Sequence, residues 1–183
     1  TGTLEAQQQE YSTRSRKAIK LYETATDYIA RRQLLEAIHL LNQALEKDEA
    51  FVEAHLQAAF CYKIMNRVED QKHHLRAVVQ HARNPSRYKN VYYSLGEACF
   101  LTEEYDAALS YLEHFLAFPT VNPRMVPEAR KLMENVLFAR EGIRNPVDID
   151  PVILPEVINS GPLQYFPVLT ADEEILIYTR REG

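Results

Sequence analysis

Glycine is almost missing from the first 141 residues of this 183-residue chain, where only Gly2 and Gly96 occur. Prolines in that region are confined to positions 85, 119, 123 and 127. Both residue types interrupt regular structure, so their scarcity leaves long stretches open to helix. Cysteine is limited to Cys61 and Cys99, too few for a disulfide scaffold and compatible with either redox compartment. No apolar run approaches the ~18 residues that a bilayer-spanning helix needs, and no signal-peptide pattern is present. The chain does open at Thr1 rather than methionine, which fits either removal of a leader or a boundary cut within a longer protein. Excess positive charge is lacking as well. A net charge of −5 and a pI near 5.7 give no polyanion-binding footprint, which argues against nucleic acid as a partner. There is no Gly-rich phosphate loop, nucleophile elbow or Ser/His/Asp spacing, so neither a catalytic residue nor a cofactor is expected.

What is present divides the chain in two. Apolar residues make up 46% of the sequence, enough to build a core. Up to about residue 141 they are mixed with Ala, Glu, Gln, Lys and Arg, which are good helix formers. From Gly142 onward the texture changes, with prolines at 146, 151, 155, 162 and 167 and more Val and Ile. We therefore expect a helical domain over 1–143 and an extended segment over 144–183. Within that segment Tyr165–Leu169 and Ile175–Thr179 read as two strands around a polar turn, Thr170–Glu174. A lone hairpin of this kind is marginal in water.

The helical part repeats itself. Leu21, Ala25, Tyr28, Ala37, Leu41 and Ala44 recur as His55, Ala59, Tyr62, Gln71, Leu75 and Val78, each 34 residues on. They recur again as Tyr92, Gly96, Cys99, Ala108, Leu112 and Phe115, each 37 residues on. Three residues are thus inserted near Asn84-Pro85-Ser86-Arg87. The spacing i, i+4, i+7 puts each set of three on one helix face. A small middle residue (Ala25, Ala59, Gly96) lets a partner helix come close. Short connectors, Arg31-Arg32-Gln33 and Leu101-Thr102-Glu103, force each pair antiparallel. One such hairpin cannot cover its own apolar face, so hairpins must stack and be capped. Residues 4–17 read as an upstream extension of the first helix. Val126 to Ile143 reads as a seventh, capping helix, with Pro127 in its first turn and Gly142 as its C-terminal cap.

This pattern resembles the tetratricopeptide repeat family over roughly residues 18–121. The third unit carries it best, with Leu95-Gly96-Glu97-Ala98 followed by Glu104-Tyr105-Asp106-Ala107-Ala108-Leu109. The second departs, with His55 where a large apolar residue is usual and Gln71 where a small one is. The expected fold is all-α: an α-solenoid of three helical hairpins plus a capping helix, followed by the extended tail and its β-hairpin. The resemblance further implies a concave groove lined by the first helix of each pair, where a protein or peptide partner lies. It maps Tyr22 and Ile29 in the first unit, Phe60 and Lys63 in the second, and Asn90, Tyr93, Glu97 and Phe100 in the third onto that groove. Tyr22 and Thr26 stand where family members that clamp a terminal carboxylate need a cation and an amide, so an apolar segment, or the chain's own tail, is the better ligand.

Other constellations have bland readings. His73, His74 and His81 form the densest histidine cluster but lack the i, i+4 spacing and companion ligands of a metal site. Cys61 and Cys99 read as buried free thiols. The pairs Glu103-Glu104 and Glu173-Glu174 read as solvated turn residues, and Arg14 to Lys20 as one polar helix face.

The tail is similar to the start of a WD40-like propeller. Ile158-Asn159-Ser160 is followed by Tyr165-Phe166-Pro167-Val168-Leu169-Thr170-Ala171-Asp172 and by Leu176-Ile177-Tyr178-Thr179. In Bacteroidetes such propellers follow tetratricopeptide repeats in periplasmic proteins with an OmpA-type peptidoglycan-binding domain, and one branch serves type IX secretion. The resemblance implies a periplasmic, outer-membrane-associated scaffold whose partner is another cell-envelope protein. Two alternatives stand beside it: a cytoplasmic adaptor or co-chaperone, and the regulatory repeats of an enzyme.

Overall fold

Seven α-helices in three hairpins and a cap make up the helical part of the computed structural model, which describes residues 11–148, 153, 155–156, 164–172 and 174–180. In chain order they are α1 (Arg16–Ala30), α2 (Leu34–Lys47), α3 (Val52–Ile64), α4 (Val68–His81), α5 (Lys89–Leu101), α6 (Tyr105–Ala117) and α7 (Met125–Arg144), with a 3-10 turn at Pro85–Tyr88. The chain splits into two compact units, Thr1–Asn145 and Pro146–Gly183. Among the described residues no helix is long and apolar enough to cross a membrane.

Each hairpin turns in the same way. Arg32, Asn66 and Glu103 have φ of 60°, 56° and 62°, the left-handed conformation that reverses a chain after a helix. The next N–H in each case bonds back to the third-last helical carbonyl: Gln33 to Tyr28 (2.9 Å), Arg67 to Tyr62 (2.9 Å) and Glu104 to Cys99 (2.8 Å). These bonds satisfy carbonyls that the helix ends would otherwise leave orphaned. The 34- and 37-residue offsets thus reappear in the backbone itself.

The small residues do what their spacing predicts. Ala25, Ala37, Leu41 and Ala44 are fully buried, as are Ala108, Leu112 and Phe115. Gly96 marks the closest approach. A Cβ at this position would lie 2.6 Å from Leu112 Cγ and 2.8 Å from its Cδ2. We expect Gly96→Ala to destabilise the chain by ~1–2 kcal/mol in urea unfolding. A Cβ 2.6 Å from Leu112 Cγ puts the overpacking cost at roughly 2–3 kcal/mol, and about 1 kcal/mol of helix propensity offsets it. A variant as stable as the parent would disprove the close approach.

Two expectations need correction. Residues 11–15 do not extend α1; the helix begins at Arg16, where the Ser15 hydroxyl accepts the Ala18 N–H (3.3 Å). Residues 4–10 of that expectation lie outside the described residues. Instead, Ser12 donates to Glu53 (Oγ–Oε2 2.6 Å) and accepts the Val52 N–H (2.9 Å), while Thr13 donates to Asp48 (2.5 Å). Gly142 does not cap α7, which runs on to Arg144 and is closed by the Asn145 N–H on Glu141 O (2.9 Å).

In the second unit β1 (Gln164–Leu169) pairs antiparallel with β2 (Leu176–Arg180), Val168 opposite Ile177 and Leu169 opposite Leu176. The register shifts between Tyr165 and Val168, where Phe166 has φ 54°. Pro167, which has no N–H for the ladder, falls in this bulge. The turn is closed by Thr170 N–H on Ile175 O (3.0 Å) and by Ile175 N–H on the Thr170 hydroxyl (3.1 Å). The Ile158-Asn159-Ser160 stretch lies outside the described residues.

Candidate functional site: a cleft between the second and third hairpins

The inserted residues have a structural consequence. Asp48–Phe51 joins α2 to α3 in four residues, whereas Ala82–Tyr88 joins α4 to α5 in seven, including the 3-10 turn. First helices of neighbouring units touch elsewhere: α1 meets α3, and α5 meets α7. No Cα of α3, however, comes within 8 Å of one of α5. The gap is a cleft of ≈ 230 Å³ lined by Leu56, Ala59, Phe60 and Lys63 of α3, Gln71 and Leu75 of α4, and Asn90, Val91 and Ser94 of α5. Its floor is apolar because Ala59, Leu75 and Val91 belong to the buried cluster that joins the two hairpins.

Three of the residues mapped from sequence, Phe60, Lys63 and Asn90, meet in this cleft. Glu97 reaches its edge through a 2.5 Å ion pair with Lys63, formed between two partly exposed side chains. Tyr93 is half-buried, with its ring 5.5 Å from that of Phe115. Burial raises its phenol pKa, the Glu97 and Glu128 carboxylates raise it further, and Lys63 opposes them. Phe100 and Ile29 are partly buried, Phe100 against the cluster formed by α5, α6 and α7 and Ile29 against that formed by the first hairpin and α3. Tyr22 is a correction: it is 8% exposed, beneath Tyr11 (5.5 Å between rings) and against Phe51 (5.1 Å). The segment around Tyr11 returns across the first hairpin and closes the surface that Tyr22 was expected to offer.

Sequence reasoning missed Ser94 and Gln71 of the cleft. Ser94 follows Asn90 by four residues, a spacing that puts both on one helix face. Glu104 was also misread as solvated. Its carboxylate binds Lys72 (2.6 Å) and Arg76 (2.5 Å). The sequence cluster of His73, His74 and His81 gains His55, whose Nδ1 lies 2.9 Å from His74 Nδ1. Among the described residues no group of three or more His, Cys, Asp or Glu converges on a metal-sized site. Cys61 and Cys99 are free and buried. Burial pushes the Cys61 thiol up to about 11, far from the thiolate form a reactive cysteine needs.

No family model matches this chain, and no curated protein matches it in sequence. Solved structures do match the fold. The first tetratricopeptide domain of Spaghetti (RPAP3), bound to the HSP90 peptide SRMEEVD, is 22% identical with a TM-score of 0.58, over 67% of this chain and 95% of that one. The Sgt2 tetratricopeptide domain from Aspergillus fumigatus is 17% identical with a TM-score of 0.57, over 79% and 93%. The Yersinia enterocolitica type III secretion chaperone SycD, in complex with a peptide of the translocator YopD, is 14% identical with a TM-score of 0.55, over 67% and 93%. At these identities the likeness establishes the tetratricopeptide-type fold of the helical part.

Proposed function

We propose that this chain is a non-enzymatic interaction scaffold that holds an apolar segment of another protein across α3 and α5. The cleft carries this reading. It is an apolar depression with polar groups in its lining, and Phe60 there is 50% exposed; Ile64 (54%) and Leu101 (63%), at the C-terminal ends of α3 and α5, are large apolar side chains also left in solvent. Contiguous exposed apolar surface with a few convergent polar groups is the usual mark of a binding site. Structures of similar fold that were solved with an HSP90 peptide and with a YopD peptide support peptide recognition here.

The same proposal places the chain in the cell envelope, as the recognition arm of a periplasmic, outer-membrane or peptidoglycan-associated protein, with type IX secretion as one setting. The tail supports this. Phe166, Val168 and Ile177 of the hairpin are 58–81% exposed, as expected of strands completed by further strands.

Replacing Phe60 and Tyr93 together by Ala should weaken capture of the native partner, cross-linked in cells, by about tenfold or more, as loss of central apolar anchors does. Unchanged binding by a folded double variant would show that the groove reading is wrong. Fractionation of the native cells tests the setting: recovery with outer membrane and peptidoglycan supports it, and recovery in the cytosol sinks it.

A further inference from the structure

Resting on the groove reading, we infer that the occupant of the α3/α5 cleft is a cationic apolar segment: one aliphatic or aromatic side chain seated in the cleft, with a lysine or arginine beside it meeting Glu97. Size sets the first half. Pockets that enclose whole small molecules run to roughly 300–1,000 Å³. At ≈ 230 Å³, with Leu56, Ala59, Leu75 and Val91 for walls, this cleft suits a single apolar side chain. Asn90 and Ser94 on the rim can bond the backbone of an extended chain, whose N–H and C=O groups need partners once desolvated.

Charge sets the second half. Among the described residues Lys63 is the one cation lining the cleft, and its ammonium is already held by Glu97 at 2.5 Å. Glu128, like Glu97, raises the Tyr93 phenol, and Lys63 opposes the two. On the α1 side Glu53 accepts, among the described residues, from the neutral Ser12 N–H (3.1 Å), Ser12 hydroxyl (2.6 Å) and Tyr88 hydroxyl (3.2 Å), and the nearby cation is Arg87, 5.6 Å over the Tyr88 ring. The groove therefore carries more carboxylates than cations. An acidic segment would have to separate Lys63 from Glu97 and then sit among Glu53, Glu97 and Glu128. A cationic segment can share Glu97 with Lys63 and brings positive charge toward Glu53, whose hydrogen-bond donors are neutral. Complementarity of this kind chooses between partners more than it adds raw affinity.

The test uses the full chain and three synthetic peptides with blocked termini in a Gly/Ser background: one Leu flanked by two lysines, the same Leu flanked by two glutamates, and the lysine peptide with Leu replaced by Ser. Titration by fluorescence anisotropy at low salt should show the lysine-flanked peptide binding about tenfold tighter than the glutamate-flanked one. The Ser control should bind weakly. Lys63→Ala, a change at an exposed side chain, frees Glu97 and should tighten the lysine-flanked peptide by up to about fivefold, the worth of a surface ion pair. Glu97→Gln should weaken it by a similar factor. Tighter binding of the glutamate-flanked peptide, or weaker binding of the lysine-flanked peptide to Lys63→Ala, overturns the charge assignment. Amide resonances separate that failure from failure of the groove itself. Shifts at Leu56, Phe60 and Ser94 keep the groove even if the charge preference is reversed. Peptide binding with no shift there overturns both.

Discussion

Replacing Lys72 by methionine lowers stability by about 3 kcal/mol in urea unfolding, although methionine is of similar length and the site is buried. Lys72 stands 34 residues after Ile38 and 37 before Leu109, both buried apolar residues. The second unit thus places a cation where its neighbours place a hydrophobe. The side chain is only 1% exposed, and its ammonium donates to Glu69 (2.9 Å), the Thr102 hydroxyl (2.8 Å) and Glu104 (2.6 Å). Burial opposes the charge, but Glu104 and Glu69 outweigh it, so the pKa of Lys72 ends above its ordinary value. The hydrogen bond from Lys72 in turn holds Glu104 below the usual carboxylate range.

Removing one partner of a buried ion pair costs roughly 3–5 kcal/mol, because the other is left uncompensated. Glu104 keeps Arg76 and is partly solvated, which puts the loss at the lower end of that range. The variant Lys72→Met/Glu104→Gln should recover part of the loss, with a coupling of at least ~1 kcal/mol in a double-mutant cycle. A methionine variant within 0.5 kcal/mol of the parent, about the scatter of neutral surface substitutions, would dismiss Lys72 as a staple. The location links this network to binding. Lys72 ties α4 to the α5–α6 turn across the junction where α3 and α5 stay apart. It therefore acts with the apolar cluster of Ala59, Leu75 and Val91 in holding the second hairpin to the third.

The hairpins were legible because burial follows helical periodicity. Ala25, Ala59 and Gly96 could be aligned from spacing alone, and the extra residues before α5 showed as a change of offset. That this insertion opens a cleft was not legible, since it depends on how far two helices that are not neighbours in sequence are held apart. Tyr22 occupies the expected repeat position, yet a segment 11 residues upstream covers it. The signal for that was local: Ser12, Thr13 and Ser15 are residues whose hydroxyls favour caps and turns over helix interiors. Composition around them suggested helix, and the hydroxyls won. Glu104 looked like a turn carboxylate. Its role follows from the turn folding onto α4, a contact that no spacing within one hairpin encodes. The histidines show the same limit. His73, His74 and His81 drew notice as neighbours in sequence, but the ring that bonds His74 comes from the facing helix.

That pair makes stability depend on pH. His55 Nε2 lies 2.9 Å from the Glu49 carbonyl, which can only accept, so this nitrogen carries the hydrogen. A neutral His55 then has a bare Nδ1, and His74 Nδ1–H must be the donor across the 2.9 Å contact. Both rings are 7% exposed. Around them stand Tyr62, stacked on His74 at 5.4 Å, His73 at 5.2 Å from His74, and His81 at 6.2 Å from His55. Burial drives His74 down to about 4, with the charges of His55 and His73 adding to it and Asp70 opposing. Burial likewise lowers His55, against the Glu49 carbonyl. Both rings thus bind protons more weakly in the folded chain than in the unfolded one. Above the ordinary value of 6.5 they are neutral in both states, and the contribution is fully present. Below it the unfolded chain takes up protons first, and stability falls until about pH 4, where His74 titrates in the fold. The loss from His74 alone is on the order of 3 kcal/mol. His74→Phe keeps a ring against Tyr62 and removes the titration. It should be less stable than the parent at pH 7 by ~1–3 kcal/mol, because His55 loses its donor. Between pH 7 and 4.5 it should lose about 2 kcal/mol less. Carboxylates remote from the ring contribute equally to both chains, so this difference reports the titration of His74, and equal slopes in the two urea series would rule it out.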